Sequence, residues 1–137
     1  MILALTSFGF GVCAFAACVT HDYLGCGLLI ALTATSVLHH ANGTDKTRYI
    51  GGSVVGPVDK VLAHGVAVLC FRNVASYGVL GTPAYVLLVF GTVLYYKKLH
   101  TSTAYYRGHP MVPVHGTLHV MSQVAILYGY GLKFIVT

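Results

Sequence analysis

Tryptophan is absent, and charge is almost so: three acidic residues stand against eight lysines and arginines, and charged residues make up only 8% of the 137-residue chain. A soluble domain of this size covers its outside with roughly a quarter charged residues, so charge this sparse excludes an ordinary water-facing surface. Hydrophobic residues reach 56% and the mean hydropathy is +0.76, values that belong in a bilayer. The formal charge of +5 does not point to nucleic acid, because the bases occur one or two at a time rather than as a stripe. The CxxC spacing is missing too. Cys13, Cys18, Cys26 and Cys70 each lie in apolar runs, which reads as small buried thiols rather than a disulfide framework or a thiolate zinc site. No Lys or Arg precedes the first apolar stretch, which is therefore expected to be an uncleaved span and not a signal peptide.

What is present is hydrophobic sequence in lengths suited to a membrane, whose ~30 Å core needs about 20 residues of helix. Five segments qualify, near residues 2–19, 24–41, 57–75, 79–96 and 113–135, and predict an all-α, polytopic transmembrane bundle of about five helices in one domain over 1–137. The breaks at Thr20–Tyr23 and around Ser76–Gly78 read as tight hairpins, while 42–56 and 97–112 read as longer polar connections. Lys46, Arg48, Lys60, Lys97, Lys98 and Arg107 flank the long-loop side, against Arg72 and Lys133 on the other. By the positive-inside rule, the long loops and the N-terminus face the cytoplasm or its organellar equivalent.

Ionisable groups in membrane spans are costly and are usually kept for function. Ser36 and His40 share a helix face near the inner end of the second span, and Asp59 lies at the start of the third. His115 and His119, again one turn apart, open the fifth. Three helices thus bring three imidazoles, a carboxylate and a hydroxyl to one membrane depth. Three histidines and a water form the open tetrahedral site typical of catalytic Zn2+. Asp59 is suited to orient that water and take its proton, and Ser36 to stabilise an oxyanion.

Blander assignments exist for each residue. Asp59 would suit a helix N-terminus, Ser36 a helix interface, and paired histidines a haem or simple packing. His39 points about 100° away from His40, and His21, His100 and His109 read as solvated or interfacial. His64 is expected in the core.

In order along the chain, Ser36-x-x-x-His40, then Asp59, then His115-x-x-x-His119 resembles the pattern of the CREST superfamily, which includes alkaline ceramidases and PAQR (adiponectin-type) receptors. Val114–Val120 followed by Tyr128-Gly129 is similar to the closing helix of the PAQR proteins. The resemblance covers about residues 33–64 and 110–132. It implies zinc held by His40, His115 and His119, with Asp59 beside the water and Ser36 behind it. The family usually has seven helices, so a five-helix chain implies a shallower or more open pocket, one completed by homo-oligomerisation, or a form that no longer catalyses; a larger membrane complex is a further expected partner. The expected activity is hydrolysis of an amide or ester in a membrane lipid, ceramide-like amides first. A haem-binding electron-transfer subunit and an accessory subunit of a larger complex are the rival expectations.

Overall fold

The computed structural model describes residues 2–41, 52–100 and 111–136, and all regular structure within them is helical. Helices α1 (Ile2–Ser7) and α2 (Gly9–Val19) form one rod broken at Phe8. They are followed by α3 (Tyr23–Ala41), α4 (Gly52–Ala75), a 3-10 turn (Gly78–Gly81), α5 (Thr82–His100) and α6 (Met111–Val136). Five rods match the five apolar segments, with shifted ends. Helix α4 begins at Gly52, so Pro57 lies inside it instead of in its first turn. As the sixth residue, the proline removes the one backbone bond its N–H would have made, and the helix continues through it. Helix α5 starts at Thr82, later than expected, because Gly78 takes a left-handed φ of 55° and opens the 3-10 turn. Gly81 then lies directly against the Val74 carbonyl, where a Cβ would collide. Lys46, Arg48, Arg107 and His109 lie outside the described residues.

The rods pack in sequence around a ring: the α1–α2 rod against α3, α3 against α4, α4 against α5, α5 against α6, and α6 back against the first rod. Small residues permit the close approach; Cys13, Ala17, Ala84 and Ala125 are completely buried. Tyr23–Ala41 and Val54–Ala75 are long and apolar enough to cross a membrane, and Leu3–Val19 and Gly78–Leu94 are shorter apolar helices. Large apolar side chains also line the outside, among them Phe15 at 70%, Val61 at 71% and Phe134 at 73% exposure, which a lipid solvent accommodates and water does not.

At the end of the ring holding the first hairpin, Asp22 ties three rods together. Its Oδ1 accepts the Gly25 N–H at 2.9 Å, capping α3. Its Oδ2 accepts the Tyr130 hydroxyl of α6 at 2.8 Å and the Asn73 amide of α4 at 3.4 Å. Gly25 is required here, since a Cβ would strike the Tyr130 hydroxyl and the Asp22 carboxylate. Burial works to raise the Asp22 pKa, but the Gly25 N–H, the Tyr130 and Asn73 bonds and the Lys133 charge outweigh it and hold the carboxyl below its ordinary value. A depressed folded-state pKa stabilises the protein above the unfolded value of about 4 and loses that contribution as pH falls through the folded value. Asp22→Asn is therefore expected to lower the thermal midpoint in detergent at neutral pH, with the gap to wild type narrowing below about pH 4.

Candidate metal centre

Helices α3 and α6 face each other across the ring without extensive direct packing, and imidazoles fill the space between them. His40 comes from the last turn of α3, His115 and His119 from one face of α6. Their ligand atoms lie within 4.8 Å of one another. Ring centroids are 4.8 Å apart for His40 and His115, 5.3 Å for His40 and His119, and 4.6 Å for His115 and His119. Nitrogens around a tetrahedral zinc stand roughly 3.4 Å apart, a separation that small side-chain rotations reach from here. His40 Nε2 is shielded from solvent and His119 is only 9% exposed, while the His40 and His115 residues as a whole are half-buried. The three residues fit a single metal ion; an all-imidazole donor set accepts zinc, iron, copper or nickel and does not choose among them.

The first rod supplies partners that carry no sequence motif. At its break the backbone tightens, with Phe8 N–H bonded to the Leu5 carbonyl at 3.2 Å and Gly11 N–H to the Phe8 carbonyl at 2.9 Å. Gly9 leaves room there for the Gln123 side chain, which a Cβ would strike. Gln123 Nε2 donates to the Thr6 carbonyl at 2.6 Å, fastening the break to α6. Gly116 of α6 faces Leu3 and Thr6, where a Cβ would make only ordinary contact. The consequence is that Thr6 Oγ1 lies 3.0 Å from His119 Nδ1, while Phe10 meets the same ring edge-on at 5.4 Å. The available sequence signals were two adjacent hydroxyls in an otherwise apolar span and a glutamine one turn beyond His119.

Asp59 is the eighth residue of α4, so it does not cap that helix. Thr35 Oγ1 donates to its Oδ1 at 3.1 Å. This contact holds Asp59 against α3 five residues before His40. Ser36 itself is 1% exposed, with its Oγ 2.9 Å from Ser7 Oγ. It faces protein on all sides and braces its neighbours.

The other histidines differ in setting. His39 packs on His40 at 4.9 Å and against Gly56. His21 is exposed with its Nδ1 3.2 Å from the Tyr23 hydroxyl. His64 was expected in the core but is exposed, its Nδ1 2.6 Å from the Lys60 carbonyl of its own helix, because this face of α4 lies outside the ring. Cys18 is likewise exposed, whereas Cys13 and Cys70 are buried as expected.

Replacing Ser7 and Ser36 by Ala singly should each cost about 1 kcal/mol of stability, and the double variant less than their sum, with a coupling of about 0.5–1.5 kcal/mol in a thermodynamic cycle from unfolding in detergent. Additive losses would show that the two hydroxyls do not interact. Comparison with protein-family models, curated proteins and solved structures finds no match to this chain.

Proposed function

We propose that this chain is a metal-dependent hydrolase of the membrane, with zinc as its ion and a lipid amide or ester, ceramide-like amides first, as its substrate. The observation that carries this reading is the trio His40, His115 and His119, whose ligand atoms lie within 4.8 Å of one another. Beside the helix end that bears His40, the Asp59 carboxylate is held by Thr35. Zinc, when bound to three imidazoles, polarises a carbonyl and lowers the pKa of a water to about 7. Asp59 accepts the proton of the attacking water and returns it to the leaving amine or alkoxide. Ser36, bonded to Ser7 and next to Thr35 in the chain, braces the turn of α3 whose Thr35 holds the carboxylate. This task replaces the direct oxyanion contact expected from sequence, and it suits a hydroxyl that is 1% exposed.

A lipid substrate accords with the surroundings. An open apolar groove of about 720 Å³ runs between α2 and α3, lined by Phe8, Phe15, Ile30, Val37 and Leu38 among others, and suits an acyl chain. In this reading all five rods span the bilayer, and the inner-side bias of Lys and Arg puts the histidine end at the inner leaflet. The order Ser36, His40, Asp59, His115, His119 resembles that of the ceramidase and PAQR proteins and supports the same chemistry. Imidazoles whose centroids are 4.6–5.3 Å apart, two pairs edge to face and one tilted, favour a shared small ion over a porphyrin gripped from two sides.

The test begins with metal content after purification in mild detergent without a metal-binding tag. About one zinc per chain is expected, lost in the double variant His115→Ala, His119→Ala. Chelation should abolish turnover of a ceramide-like amide, and added zinc should restore it. Asp59→Asn should keep the zinc while lowering turnover at least ~100-fold. Wild-type protein without zinc would retire the metal reading; an unchanged rate in Asp59→Asn would remove the general base.

A further inference from the structure

The hydroxyls of the first rod do more than fill space beside the imidazoles. Four contacts link Thr6, Ser7, Ser36, His119 and the Leu3 carbonyl. Thr6 Oγ1 lies 3.0 Å and Ser7 Oγ 2.8 Å from the Leu3 oxygen. Ser7 Oγ lies 2.9 Å from Ser36 Oγ, and Thr6 Oγ1 lies 3.0 Å from His119 Nδ1. Each contact needs one proton, and the three hydroxyls provide three. A backbone carbonyl has none to give. The fourth proton must come from the imidazole itself, so Nδ1 of His119 carries hydrogen and donates it to Thr6, whose own proton goes to Leu3.

We infer that Thr6 is a positioning residue for the metal centre, fixing His119 as the Nδ1–H tautomer so that Nε2 presents its lone pair to the ion. The inference rests on the three-histidine reading proposed above and adds to it the atom that binds and the residue that selects it. In a neutral imidazole one nitrogen is a donor and the other an acceptor, and the bond made by one decides what the other can do. Outer partners of this kind typically carry 10–100-fold in metal affinity. Thr6 is itself held: Gln123 fastens its carbonyl, and Gly9 makes the space that Gln123 occupies. The hydroxyl is therefore aimed by the break in the first rod, not by its own rotamer alone.

The test uses the full chain in detergent, with zinc alone as the probe. Zinc affinity is measured by competition with a chromophoric chelator for wild type, Thr6→Val and Thr6→Ser. Expected are a roughly 10–100-fold loss in Thr6→Val and recovery to within a few-fold in Thr6→Ser. Nitrogen NMR of labelled histidine in the metal-free protein, assigned with His119→Ala, supplies a readout that packing alone does not move. The His119 Nδ1 signal should be of the protonated type in wild type and in Thr6→Ser, and should lose that character in Thr6→Val. Unchanged zinc affinity in a folded Thr6→Val protein, or an unprotonated Nδ1 in wild type, overturns the inference while leaving the three-histidine site intact. Wild type that binds no zinc overturns the metal reading itself, and the NMR signal then decides separately whether Thr6 sets the tautomer.

Discussion

A hydroxyl, amide or imidazole enclosed among apolar helices has no water to turn to, and leaving it unmatched costs several kcal/mol. Polar groups inside such a bundle therefore gain from being matched by another part of the chain, and several of the described ones are. In the membrane reading proposed above, apolar packing alone would not fix such an arrangement: lipid tails are as apolar as the side chains, and exposed Phe15 or Val61 would be equally content at many rotations of their helices. The directional contacts do fix it. Asp22 collects Gly25, Asn73 and Tyr130 at one end. The chain of Leu3, Thr6, Ser7, Ser36 and His119 does so at the other.

These contacts explain which parts of the structure were legible in the sequence. Five apolar runs give five rods because the length of an apolar segment is a one-dimensional property of the sequence. His40, His115 and His119 were legible for a related reason: helical spacing and the alternation of up and down rods suffice to bring them to one depth. Helix ends were less so. Pro57 reads as a first-turn residue, yet Gly52–Gly56 already forms helix ahead of it, and Gly78 with its left-handed backbone delays α5 to Thr82.

The contributions of Thr6, Ser7, Gly9 and Gln123 were invisible for a different reason. None has a motif, and each matters only because two rods meet at a particular angle. Gly9 has meaning only beside Gln123, and Gln123 only beside the carbonyl at the break. Ser36 was found, but its surroundings were not, because its partner Ser7 is 29 residues away and comes from the other side of a hairpin. Rotation about the ring axis misled as well, since His64 falls on the outer face of α4, a fact that depends on how that helix turns against its neighbours.

Helix α6 is fastened at separated heights. His119 and Gln123 hold it to the first rod, Tyr128 bonds the Leu80 carbonyl at 2.9 Å, and Tyr130 reaches Asp22. From His119 to Tyr130 is roughly 16 Å along the axis at ~1.5 Å per residue. A shaft held in bearings that far apart can neither tilt nor slip by a turn without leaving both. The aspartate at the far hairpin thus acts as a remote alignment pin for the imidazoles. Wear at that pin would show first as lost aim at the opposite end of the helix, well before the bundle came apart.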